Sequence, residues 1–242
     1  MTVQAVILAA GMGTRLARPH PKSMTTLSNG TTILHQQFNN LRLAFGRKLR
    51  LTVVVGFKLE QILEHIPDAS FVYNENFDQT NTSKSLLKAL RNSGRGGVLW
   101  MNGDVVFDPA ILERLRPLIK EDRSFIAVDV SSVSDEEVKY TVDDGGFINA
   151  LSKQVPQAEA LGEAVGINYV SRKDKKKLIK RLHAVAEQDY FERGVELTIG
   201  KDGLQWLPVD ISSFYAVEVD FPEDLERANA SVQEHGAGTD LS

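Results

Sequence analysis

Three stretches of this chain carry residue types that could do phosphate chemistry together. The first is Leu8-Ala9-Ala10-Gly11-Met12-Gly13-Thr14-Arg15-Leu16, followed by Pro21-Lys22, and it closes a short apolar run. Small residues at Ala9, Ala10, Gly11 and Gly13 let a flat base and a triphosphate lie against the main chain, where free N–H groups of the turn bind phosphate oxygens. Arg15 can fork onto phosphate oxygens, and Lys22 can add a point charge. The second stretch is Val98–Pro109, an apolar run that ends in Gly103-Asp104. A carboxylate at the carboxyl end of a strand can hold Mg²⁺ against a phosphate. The third is Phe214–Asn229, where an apolar run again ends in an aspartate, Asp220. One such aspartate before a helix reads as a cap, but two on separate strands favour a metal site.

Two better-known phosphate motifs do not fit. A P-loop or a dinucleotide fingerprint starting at Gly11 needs a glycine where the chain has Leu16. The dinucleotide pattern also lacks its acidic residue about 20 positions on.

The elements that must position these residues alternate. Val3–Leu8, Leu51–Val55, Ser70–Tyr73 and Val98–Met101 read as buried parallel strands. Thr32–Phe45, Leu59–Ile66, Ser83–Arg91 and Ala110–Lys120 read as helices between them, with Pro117 as an alternative early end of the last. This order predicts an α/β chain with a Rossmann-like, doubly wound, mostly parallel sheet. The second half predicts a mixed β extension. Its strands are Phe125–Val130, Thr141–Val142, Phe147–Leu151 and Ala164–Val170, and Asp143–Gly146 forms a hairpin turn. Lys173–Gln188 reads as one helix, Tyr215–Val219 as a last strand and Pro222–Ser231 as a last helix. The expectation is one domain over 1–233, with a nucleotide-binding half (1–125), an acceptor-binding half (126–233) and a flexible tail at 234–242.

Composition narrows the class. The formal net charge of −4 argues against a nonspecific nucleic-acid surface, and the basic run Lys173–Lys177 reads as a solvated helix face. With no cysteine, disulfides, zinc thiolates and cysteine nucleophiles are excluded. The five histidines show no metal-ligand spacing. No apolar run reaches membrane-spanning length and no leader is visible, so the expected location is cytoplasmic.

The opening loop resembles the signature of the nucleotidyltransferases that make sugar nucleotides and CDP-alcohols. Among these, the chain is most similar to the phosphocholine cytidylyltransferase-like branch, which includes phosphonate cytidylyltransferases. The resemblance spans almost the whole chain. It implies that Leu8, Ala9, Ala10, Gly11, Gly13 and Thr14 hold CTP, with Gly103 beside them. It implies catalytic roles for Arg15 and Lys22, and Mg²⁺ on Asp104 and Asp220. The Asn/Thr/Ser-rich loop before the third helix points to Asn81 and Ser85 as nucleotide contacts. Within Ile148–Ser171, it points to Lys153 and Glu163 as acceptor contacts. By residue type, Asp129, Glu163 and Glu192 could bind an ammonium. Asp108, Glu223 and Asp224 read as helix-terminal structure.

The implied reaction is transfer of CMP from CTP to a small phosphate or phosphonate, such as phosphocholine, 2-aminoethylphosphonate or 2-hydroxyethylphosphonate. Pyrophosphate is released. The branch often carries a tryptophan just before its E-[IV]-D triplet, where this chain has Ala216 and Val217. Trp206, Tyr169, Tyr190 and Phe191 are the aromatics left to cage a quaternary ammonium. A sugar-1-phosphate or inositol-phosphate nucleotidyltransferase is the alternative enzyme, and a non-catalytic nucleotide-binding regulator the alternative class. Oligomeric state stays open, a homodimer included.

Overall fold

A computed structural model of the chain describes residues 2–11, 20–131 and 133–236. Gly13, Thr14 and Arg15 lie outside the described residues.

The centre is β1 (Val3–Ala9), paired in parallel with β2 (Leu49–Val55) on one side and β4 (Val98–Asn102) on the other. β3 (Ser70–Tyr73) continues beyond β2, also parallel. Alternation along β1 sends Ala5, Ile7 and Ala9 into one core layer and Val6, Leu8 and the following Ala10 into the other. α1 (Ile33–Phe45) and α4 (Ala110–Lys120) cover the first face through Leu34, Leu41, Ile111 and Leu115. α3 (Thr82–Asn92) covers the second through Leu86 and Leu90. α2 (Leu59–His65) bridges β2 and β3. The chain steps outward from β1 to β2 and β3 and then crosses back through α3 to β4 on the other side of β1, which makes the β1/β4 junction the crevice where open α/β sheets bind ligands.

The second half extends the same sheet. β9 (Gly162–Val170) pairs antiparallel with β4 and with β6 (Phe125–Asp129), and β10 (Leu207–Asp210) adds to β6 in parallel. β7 (Lys139–Val142) and β8 (Ile148–Ser152) form the hairpin around Asp143–Gly146, and β7 docks on β9. Among the described residues these nine strands form one sheet. A separate pair, β5 (Val105–Phe107) and β11 (Ala216–Glu218), runs antiparallel.

Several expectations need correction. Pro117 does not stop α4, because Leu115 and Ile119 on either side of it are both fully packed in the core. The helix expected over Lys173–Gln188 is α5 (Arg172–Ala184), followed by a turn in which Asp189 accepts from the Ala186 amide at 2.8 Å. α6 (Phe191–Asp202) and β10 were not expected at all. Gly194, Gly200 and three β-branched residues give α6 a poor local helix signal. Packing against α5 overrides it: a Cβ at Gly194 would lie 2.6 Å from a Leu182 methyl, so the glycine is the point of close approach. α7 (Pro222–Gly236) runs past Glu234, where the tail was expected to begin.

One buried cation holds the segment before β7. Lys139 is 2% exposed and donates to the Ser134, Asp135 and Glu137 carbonyls at 3.3, 3.1 and 3.4 Å. Lys139→Met keeps the stem and removes the donors, so urea titration should show a loss of about 2 kcal/mol. An unchanged midpoint would mean that these carbonyls are satisfied by water.

Candidate active site

β1 and β4 end side by side, and the backbone there is unusually close. The Gly103 amide donates to the Leu8 carbonyl at 3.0 Å, and a Cβ on Gly103 would stand 2.6 Å from that oxygen. Any larger residue would push the strand ends apart. Leu8, Ala9, Gly11, Lys22, Ser23, Gly103 and Asp104 line a cleft of about 70 Å³ at this junction.

Asp104 enters the cleft from the turn between β4 and β5. That turn is pinned by Gln37 on α1, which donates to the Asn102 and Val105 carbonyls, both at 2.8 Å. Asp220 arrives from the far end of the chain. The Val219 amide donates to the Asp104 carbonyl at 3.0 Å, which locks the segment after β11 beside the turn after β4. Asp224 then accepts from the amides of Asp220 and Phe221 at 3.0 and 2.8 Å, the structural role expected of it. Lys22 stands on a single 3₁₀ turn, Lys22–Met24, behind Pro21. Its Nζ donates to Asp104 Oδ2 at 2.6 Å and to Asp220 Oδ1.

Burial works against the Lys22 charge, but the Asp104 and Asp220 carboxylates outweigh it and raise its pKa. Asp104 Oδ1 is buried without a hydrogen-bond partner among the described residues. Two acids missed in the sequence belong here. Glu218 accepts from Asn102 Nδ2 at 2.8 Å, and burial, then the neighbouring Asp104 charge, hold its pKa well above the usual carboxylate range. Glu137 is raised by burial and then by Glu163, and it also feels Lys153 and Asp220. The E-[IV]-D triplet was visible in the sequence, and period-2 alternation puts Glu218 on the same side as Asp220, a signal that could have found it.

Asn81 and Ser85, the expected nucleotide contacts, stand at the start of α3. Asn81 caps α3 by accepting from the Thr82 amide at 2.8 Å, and its Nδ2 donates to the Gln188 carbonyl at 3.3 Å. Ser85 is buried and accepts from Asn74 Nδ2 at 3.1 Å. Both side chains are therefore engaged within the protein.

The four expected acceptor residues separate into two pockets. Asp129 and Glu163 join Glu137, Glu218 and Asp224 around a pocket of about 130 Å³, with Arg227 at its rim. Lys153 and Glu192 line a different cavity of about 480 Å³ between β8 and α6. Among the described residues the four expected aromatics form no cage: Trp206, Tyr169 and Phe191 are buried in the core, and Tyr190 lines the larger cavity.

Comparison with known proteins adds to this geometry. The MobA-like NTP transferase domain model matches residues 5–189. A CMP-5'-(3-aminopropyl)phosphonate synthase from Streptomyces rubellomurinus is 27% identical over 94% of this chain and 38% of its own length. A 2-aminoethylphosphonate cytidylyltransferase from Lancefieldella rimae is 29% identical over 74% of this chain and 71% of its own. The chain thus spans well under half of the first relative. The CTP:phosphocholine cytidylyltransferase of Streptococcus pneumoniae has the same fold at a TM-score of 0.75, 18% identical over 95% of this chain and 99% of that one. The inositol-1-phosphate CTP transferase of T. maritima gives 0.76 at 17% identity, covering 97% of each chain. Among the described residues no helix is long and apolar enough to cross a membrane.

Glu192 gives the site a pH signature. Burial pushes its carboxyl up to about 7 from an ordinary 4.5. Between those values the folded protein keeps a proton that the unfolded chain releases, so stability falls as pH rises from about 4.5 to 7. Glu192→Gln has no such proton. Urea unfolding at pH 5, 6, 7 and 8 should show the variant gaining on the wild type by up to about 3 kcal/mol. A constant difference would mean that the carboxylate is solvated.

Proposed function

This chain belongs to the MobA-like NTP transferase family, and we propose that it transfers CMP from CTP to a small phosphate or phosphonate, releasing pyrophosphate. The observation that carries the reading is the junction of Lys22, Asp104 and Asp220 at the ends of β1 and β4, beside a backbone with almost no side-chain cover. The relatives named for aminoalkylphosphonates support the acceptor class. So does the dispersal of Trp206, Tyr169, Phe191 and Tyr190, among the described residues, between core and cavity wall, since a quaternary ammonium calls for aromatics around one point.

In this reading Leu8, Ala9, Ala10 and Gly11, with Gly103, let the nucleotide lie against the main chain. Gly13, Thr14 and Arg15 continue that loop and would bind its phosphates. Asn81 and Ser85 would shape the wall beside the base. An acceptor oxygen, already anionic near neutral pH, attacks the α-phosphorus. A new P–O bond forms as the bond to the pyrophosphate oxygen breaks, and no general base is required. Lys22 and Arg15 offset the charge that grows on the transferred and leaving groups. Asp129 and Glu163 form an acidic wall near the acceptor.

Asp104 and Asp220 fit a hard divalent cation. They offer carboxylate oxygens at adjacent chain ends, and one of them, Asp104 Oδ1, is buried without a partner. Among the described residues no cluster of three or more His, Cys, Asp or Glu side chains is arranged to hold a metal. A cation with only two protein ligands suits Mg²⁺, which keeps waters and binds substrate phosphates. When bound, Mg²⁺ would neutralise charge on the α-phosphate.

Pyrophosphate release should be strongest with CTP among the four NTPs and with a phosphonate or phosphocholine-like acceptor. Lys22→Ala should fold and lose about 10²–10³ in turnover. Near-normal turnover would remove Lys22 from the chemistry. Asp104→Asn should abolish the rise in CTP affinity that added Mg²⁺ produces in the wild type, measured by calorimetry. An equal rise in both proteins would remove Asp104 from the metal site.

A further inference from the structure

The larger cavity contains an acid with no counterpart. Glu192 sits in the first turn of α6 and is 8% exposed. Its own backbone amide supplies one hydrogen bond, while Oε2 is buried without a partner among the described residues. A carboxylate oxygen in this position is costly unless something fills it. The other acids lining the cavity are already satisfied. Asp189 accepts from the Ala186 amide at 2.8 Å, and Glu196 pairs with Arg193 at 3.1 Å.

The opposite charge stands at the edge. Lys153, just after β8, places its Nζ 5.6 Å from the centre of the Tyr190 ring. It is exposed and makes no hydrogen bond among the described residues. Val138 lines this cavity and its neighbour Glu137 lines the pocket of Glu218 and Asp224, so the two hollows share a border. The cavity therefore offers a cation, an aromatic wall and an unpaired buried acid. This matches a short zwitterion that carries an anionic group at one end and an ammonium at the other.

Resting on the acceptor class given above, we propose that this cavity recognises the amino end of the acceptor. Glu192 is its counter-ion, Tyr190 its aromatic wall, and Lys153 draws in the anionic end. The smaller pocket is a poorer ammonium site despite its five acids. Asp129 and Glu163 already accept from the Ser131 and Ser134 amides, Glu218 from Asn102, and Asp224 from Arg227. The fifth, Glu137, holds no side-chain donor among the described residues but is only half-buried and open to water. Glu192 is the buried acid that an ammonium would satisfy without displacing a protein donor.

The test is steady-state CMP transfer at saturating CTP to 2-aminoethylphosphonate, 3-aminopropylphosphonate and 2-hydroxyethylphosphonate. The wild type should favour the amino acceptors. In Glu192→Gln the amino-over-hydroxyl ratio of kcat/KM should fall about 30- to 100-fold, through KM. Tyr190→Ala changes a half-exposed side chain and should lower the ratio about 3- to 10-fold. A folded Glu192→Gln with an unchanged ratio overturns the proposal. If Glu192→Gln does not fold, an unchanged ratio in Tyr190→Ala overturns it. A wild type that uses the phosphonates but favours the hydroxyl acceptor overturns this inference alone. A wild type that transfers CMP only to sugar phosphates overturns the acceptor reading and this inference with it.

Discussion

One ammonium between two carboxylates organises this molecule. Lys22 Nζ meets Asp104 and Asp220, which lie 82 and 198 residues away along the chain. Each of the three follows a different element: a 3₁₀ turn, β4 and β11. Burial alone would lower the pKa of the lysine. The paired carboxylates reverse that, and the lysine in turn lets two acids stand beside the raised Glu218. In the proposed reaction this balance is what an incoming triphosphate would re-sort, with Lys22 poised beforehand for the charge that grows on phosphate.

The sheet makes that meeting possible. Parallel strands diverge on either side of β1, and Gly103 lets the backbone of β4 touch that of β1. Gln37 on α1 fixes the turn that carries Asp104, and the Val219 amide fixes the segment that carries Asp220. These contacts are to main-chain groups, so they set where the acids stand without consuming the acids' own oxygens. Asp104 Oδ1 stays unspent as a result.

The second half of the chain supplies a different kind of surface. β6, β8 and β9 with α6 frame two acidic hollows rather than one. In the smaller, Asp129, Glu163, Glu218 and Asp224 hold amides and side-chain donors of the protein itself, and half-buried Glu137 is open to water. In the larger, Glu192 is left buried and raised toward neutrality. The division separates acids that build the wall from an acid that is available to a ligand.

The sequence by itself determined the alternating first half, the parallel sheet and the two strand-end aspartates. These follow from local rules: apolar runs bounded by glycine, helical spacing, and caps. Asp108 and Asp224 could be read as terminal residues for the same reason, and both hold helix-end amides. Where long-range packing overrides local preference, the sequence fell short. Gly194 and the β-branched residues of α6 hide a helix that exists because α5 packs against it, and Pro117 looks like a stop inside a helix that the core holds together. Asp129, Lys153, Glu163 and Glu192 share a chemistry but not a pocket, and no spacing along the chain could divide them. Tertiary structure alone decided that division, because strand pairing and the placement of α6 set which side chains face one another and which carboxylates already have partners.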